Sequence, residues 1–144
     1  MSSTTVPLSL NTAAPSKGLL WTGRVLSALP ALFLLVDGVM KLFKPPFVVE
    51  PTVAMGFSES IIVPLGIVLT ACTLLYMIPQ TAVLGAILLT GYLGGAVATH
   101  VLLGQGWFEI LFPTIFGVLL WTGIGLRDAR LRALLPLRRA QYTP

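Results

Sequence analysis

The sequence is poor in charged residues, and this scarcity decides its class. Only 10% of the 144 residues are charged, whereas 56% are hydrophobic and the mean hydropathy is +0.92. Soluble domains carry about 25% charged residues. A soluble chain of this length cannot bury so much apolar surface, so most of the chain must be surrounded by lipid. The composition therefore predicts an all-α integral membrane protein.

The chain also lacks pairs of the residues that hold metals and redox centres. It has a single cysteine, Cys72, and a single histidine, His100. One cysteine excludes an internal disulfide and a CxxC motif, and one histidine argues against the paired ligands of a haem held in a bundle. The sequence contains no P-loop and no dinucleotide fingerprint. No metal site is predicted.

Four long apolar runs predict a four-transmembrane-helix bundle. They cover about residues 19–43, 60–78, 81–101 and 107–126. Runs of roughly 20 apolar residues are long enough to cross the hydrocarbon core of a bilayer as helices. Pro79-Gln80 and Gly104-Gln105-Gly106 predict tight turns between the later helices. The first connection, KPPFVVEPTVAMGFSES, is rich in proline and is predicted to be a loop outside the hydrocarbon.

Charge at the two ends of the spans predicts the orientation. We divide the chain into a disordered tail at 1–17, a transmembrane domain at 18–126 and a basic tail at 127–144. Of the nine Lys and Arg residues, all but Lys41 and Lys44 flank the end that carries both termini. The positive-inside rule then places both termini in the cytoplasm. Basic residues bordering spans indicate contact with membrane lipids, and no nucleic-acid partner is predicted.

The ionisable residues of the spans are predicted to meet at one end of the bundle. Asp37 and Lys41 end the first span, His100 ends the third, and Glu109 begins the fourth. Tyr92 lies two turns inward from His100 on a similar face. Charges inside a bilayer are costly and usually face the bundle interior. Asp37 and His100 are the candidate catalytic residues, for proton exchange, and Lys41, Tyr92 and Glu109 are candidates for ligand binding.

Simpler structural roles explain the same residues. Asp37 and Lys41 have the i,i+4 spacing of a helical ion pair, and Lys41 could instead extend to the lipid headgroups. His100 could donate to a nearby carbonyl or to Thr99. Glu109 suits a helix N-terminus because the helix dipole favours an anion there. These alternatives remain open at the level of sequence.

Small residues form a strip along the third span. Gly91, Gly94, Gly95 and Ala98 are spaced by three and four residues. Small residues at this spacing let helices approach closely in lipid, where packing drives association. The strip is predicted to be a helix-packing face.

Three segments resemble the DoxX-like family of small bacterial four-helix membrane proteins. They are DGVMKLFKP, LLYMIPQTAVLGAILLTGYLGGAVATHV and WTGIGLRDARLRALLPLR, which begin at Asp37, Leu74 and Trp121. The resemblance spans about residues 19–139 and implies four helices in a bacterial inner membrane. Because the family name comes from a subunit associated with a thiosulfate:quinone oxidoreductase, it also implies a redox-associated role.

Three functions follow as hypotheses. The first is a redox-associated protein whose outward-facing polar pocket binds a quinone or another small lipophilic ligand. The second is a non-enzymatic subunit or assembly factor that docks a partner oxidoreductase through its glycine face or basic tail. The third, a small oligomeric transporter, has less support because the sequence shows no inverted repeat. Whether the protein is an enzyme stays open, as does formation of a homo-oligomer.

Overall fold

The computed structural model describes residues 17–128 and residue 131, and this part of the chain is helical without strands. Its helices are α1 (Lys17–Phe43), α2 (Pro46–Ala54), α3 (Ile62–Met77), α4 (Ala82–Leu102) and α5 (Trp107–Arg127). A 3-10 turn at Glu59–Ile61 leads into α3. Helices α1, α4 and α5, and α3 together with its leading turn, are long and apolar enough to cross a membrane. The predicted four-helix membrane bundle is therefore confirmed.

The four long helices form a ring. Helix α1 packs against α3 and α5, and α4 packs against the same two helices. Helices α1 and α4 consequently lie at opposite corners of the bundle, with space between them that α3 and α5 enclose on either side. The buried core of this ring includes Leu34, Leu69, Leu89 and Leu120.

Glycines bring the neighbouring helices together, but at other positions than the predicted strip. A Cβ added at Gly85 of α4 would lie against the backbone of Tyr76 of α3. Gly38 of α1 and Gly66 of α3 meet in the same way, since a Cβ at Gly66 would come within 2.8 Å of the Gly38 carbonyl oxygen. Such backbone contact supplies the dispersion energy that holds helices together in lipid.

The connection predicted as a plain loop contains a helix. Helix α2 begins with Pro46 at its first position, where the missing N–H has no helical partner to lose. It continues through Pro51, and the Thr52 hydroxyl donates to the Val48 carbonyl over 2.7 Å. The high proline content of the connection predicted a loop. A proline at the first position of a helix, however, favours helix formation. Lys44 and Glu59 then form an ion pair, at 2.5 Å, that links the two ends of the connection.

The predicted tails fall mostly outside the described residues. Lys17 is the first residue of α1, and Arg127 is the last residue of α5. The remainder of the 1–17 segment is not described, and of the 127–144 segment only Arg127, Asp128 and Leu131 are.

Candidate functional site

A cavity of about 470 Å³ lies between α1 and α4 at the end of the bundle where α1 and α4 terminate. We call this end the histidine end. The cavity is covered by Thr52, which lies in α2, and by Met55 and Phe57, which come just after α2. The polar side chains that line it are Asp37, Lys41, Thr52, Tyr92, Thr99 and His100. The larger apolar side chains that line it are Phe33, Leu34, Met55, Phe57, Leu65, Leu93, Phe112, Pro113 and Phe116.

Asp37 and Lys41 form an ion pair one helical turn apart on α1. The Lys41 Nζ lies 2.5 Å from Oδ1 and 2.6 Å from Oδ2 of Asp37, so the ammonium donates to both carboxylate oxygens. The Lys41 side chain is 15% exposed and that of Asp37 is 36% exposed. Both side chains line the cavity. The pair therefore presents a neutral but strongly polar surface to any ligand bound there.

His100 is held by a residue from the turn that follows α4. Its Nδ1 lies 2.5 Å from Oε1 of Gln105. Because an amide oxygen only accepts, Nδ1 carries the hydrogen, and a neutral ring then keeps a lone pair on Nε2. The backbone N–H of Gln105 also donates to the His100 carbonyl over 3.0 Å. Gly104, with φ of +63°, provides the chain reversal that brings Gln105 back to the histidine.

Tyr92 supplies a polar group deeper in the cavity. It lies on α4 eight residues before His100, which is about 12 Å along the helix. Its side chain is half-buried and packs against the apolar core. The cavity thus has polar groups at two depths, separated by apolar and aromatic walls.

Glu109 lies apart from the other predicted site residues. It is exposed in the first turn of α5 and is not among the residues that line the cavity. Sequence topology correctly assigned it to the histidine end but could not determine which way its side chain faces. Its position fits the simpler alternative, an anion at a helix N-terminus.

The glycine strip does not pack against another helix within the described residues. A Cβ added at Gly91, Gly94 or Gly95 would meet no atom within 4 Å. Gly91 and Gly95 line the cavity, Gly94 lines a separate groove between α4 and α5, and Ala98 is exposed. The predicted packing role is therefore wrong for this chain's own bundle. The absence of side chains at Gly91 and Gly95 instead leaves room in the cavity.

Several residues of the site were not predicted: Gln105, which holds the cavity residue His100 without lining the cavity itself, and three phenylalanines that do line it. Gln105 was assigned only to a turn, although a polar side chain between two glycines beside a histidine was a usable signal. Phe112 and Phe116 are one turn apart on α5, and Phe33 of α1 contacts both. In a sequence this apolar, three phenylalanines do not stand out. Among the described residues, no three His, Cys, Asp or Glu side chains come together as metal ligands.

The model of the DoxX-like family matches residues 25–123, which is well over half of the chain and includes all the predicted site residues. The chain matches no curated protein and no solved structure. The family match, together with the four membrane-spanning helices, confirms the resemblance noted in the sequence. The protein belongs to the DoxX-like family.

Proposed function

We propose that this protein binds a quinone, or another small lipophilic molecule with polar oxygens, in the cavity at the histidine end, and that it takes part in redox chemistry there. The proposal rests on one observation. The same largely apolar cavity is lined by Asp37, Lys41, Tyr92 and His100. Ligand sites are typically apolar cavities with a few convergent polar groups.

The residues present fit a quinone. The volume of about 470 Å³ lies within the roughly 300–1,000 Å³ typical of small-molecule sites. The Lys41 ammonium and the Tyr92 hydroxyl are donors for carbonyl oxygens, and the His100 Nε2 accepts a hydrogen bond in the neutral ring and donates one in the protonated ring. Phenylalanine rings supply flat apolar surfaces for a planar ring.

A bound quinone would supply two-electron, two-proton redox chemistry. Within the protein, Asp37 and His100 are the side chains suited to hold and release protons beside the ligand. Lys41 donates to the Asp37 carboxylate and fixes its position, and Gln105 fixes the His100 ring so that Nε2 is the exchanging atom. Electrons would come from a partner oxidoreductase. A single cysteine and a single histidine can form neither an internal redox disulfide nor the paired histidine ligands of a haem.

Orientation follows from charge. Lys17, Arg24 and Arg127 lie toward the end of the bundle opposite to the cavity, and four more arginines follow Arg127 in the sequence. The positive-inside rule favours the cytoplasm for that end, in a bacterial inner membrane. The cavity would then open toward the outer leaflet, where protons exchange with the outer compartment.

The proposal is tested by filling the cavity. Gly95→Leu places a side chain into open space within the cavity, and Gly94→Leu places the same side chain into the separate α4–α5 groove. Quinone affinity is measured in nanodiscs by fluorescence titration, with circular dichroism melting as the check on folding. We expect Gly95→Leu to weaken binding by at least about tenfold and Gly94→Leu to leave it unchanged.

His100→Ala removes the proposed ligand contact without filling the cavity. Loss of one hydrogen bond should weaken quinone binding by about twofold to tenfold. Glu109→Gln is the matched control, because Glu109 lies at the same end of the bundle but does not line the cavity. Wild-type protein that binds no quinone, or equal binding by Gly95→Leu and Gly94→Leu, would refute the proposal. A non-enzymatic subunit role would then be the better account.

A further inference from the structure

The contact between α1 and α5 changes character along its length. Away from the histidine end, the two helices touch through small residues. A Cβ at Gly23 would come within 3.1 Å of the Gly123 carbonyl oxygen, and a Cβ at Gly123 would lie against the Ser27 hydroxyl. This part of the contact is closed at backbone distance.

Toward the histidine end, phenylalanine rings separate the same two helices. The ring centroid of Phe33 on α1 lies 4.9 Å from that of Phe116 and 5.6 Å from that of Phe112 on α5. At this depth the contact between α1 and α5 is made in part by aromatic side chains. Side chains can change rotamer without displacement of the backbone.

Two of these three rings border both the cavity and the outer surface of the bundle. All three line the cavity, yet Phe33 is 48% and Phe112 is 39% exposed on the surface of the bundle. Phe33 lies ten residues before the end of α1, which is about 15 Å along the helix. The rings therefore lie at a depth where the surroundings are hydrocarbon, in a core about 30 Å thick.

We infer that Phe33, Phe112 and Phe116 form a lateral entrance through which a lipid-soluble ligand enters the cavity from the bilayer. This inference rests on the proposed function and defines the ligand further as an amphiphile. Its polar ring lies toward Asp37, Tyr92 and His100, and its apolar tail passes between α1 and α5 into the lipid. The opposite route, toward the headgroups, is covered by Thr52, Met55 and Phe57, and Thr52 is buried.

Photolabelling tests the path of the tail. The probe is a quinone whose alkyl tail carries a diazirine, added to the full-length protein in nanodiscs, with sites of cross-linking mapped by mass spectrometry. We expect tail cross-links at the three phenylalanines and their neighbours on α1 and α5. Tail cross-links at Met55 or Phe57 would contradict the lateral entrance, because the tail would then point toward the headgroups. They would not contradict the proposed function, because the ligand would still occupy the cavity. A probe that labels no cavity residue would overturn both.

Kinetics provide a second, independent test. Phe112→Ala removes a ring that contacts both Phe33 and Phe116, so the probe's dissociation rate should rise by about threefold to tenfold. Phe108→Ala is the matched control. Phe108 lies one turn earlier on α5, contacts Phe112 at 5.9 Å, is 74% exposed and does not line the cavity. Equal dissociation rates for the two variants would contradict a lateral entrance.

Discussion

The ion pair between Asp37 and Lys41 offers a quantitative test of whether the cavity is shielded from water. Asp37→Asn removes the counter-charge of an ammonium whose side chain is only 15% exposed. Exposed i,i+4 pairs contribute about 0.3–0.5 kcal/mol, whereas removing one partner of a fully buried pair costs about 3–5 kcal/mol. With two contacts of 2.5 and 2.6 Å but a carboxylate 36% exposed, the pair lies between these limits. We expect Asp37→Asn to destabilise the protein by about 2 kcal/mol.

A double-mutant cycle isolates the interaction. Asp37→Asn, Lys41→Met and the double variant are compared by equilibrium unfolding in detergent micelles, and the coupling energy should be about 1–2 kcal/mol. Lys44 and Glu59 form a control pair at the same end, with the same 2.5 Å separation but side chains 34% and 58% exposed. Their coupling should stay below about 0.5 kcal/mol. Equal coupling in the two pairs would refute the view that the cavity shields Asp37 and Lys41.

Three further predictions concern packing, and all can be measured as changes in the free energy of unfolding in micelles. Gly85→Ala should destabilise by about 1–3 kcal/mol because its Cβ would press on the Tyr76 backbone. Gly95→Ala should be neutral or should stabilise the protein by up to about 1 kcal/mol, because the added Cβ would lie in open space. A loss of stability larger than that of Gly85→Ala would contradict the packing described. Tyr76→Phe should cost about 1 kcal/mol, since the buried hydroxyl donates to the Leu120 carbonyl over 2.9 Å.

Hydropathy predicted the long helices to within two residues at each end. Hydropathy is a strong predictor here because every backbone polar group in lipid must be hydrogen-bonded within the helix. A sufficiently long apolar run therefore forms a helix. Topology then placed Asp37, Lys41, Tyr92 and His100 at one end. Alternate spans run in opposite directions, and the helical rise of 1.5 Å per residue converts position in the chain into depth.

Rotation of each helix about its own axis was the part that the sequence could not supply. In a soluble bundle, polar residues mark the solvent-facing side of a helix. Helix α4 is apolar on every side, because lipid and core are equally apolar, so nothing marks which of its glycines faces a neighbour. The strip at Gly91, Gly94 and Gly95 was therefore assigned to packing, whereas Gly85 makes the close contact. The same uncertainty about rotation explains why Glu109 was placed in the pocket.

The central claim is that the cavity holds a small lipophilic molecule in the membrane where the protein resides. Native mass spectrometry of protein released from its own membranes in nanodiscs tests this most directly. We expect the wild-type chain and Gly94→Leu to retain a bound lipophilic molecule, and Gly95→Leu to have lost it. Wild-type chains that carry no such molecule, or a Gly95→Leu variant that retains it as well as Gly94→Leu does, would contradict the claim.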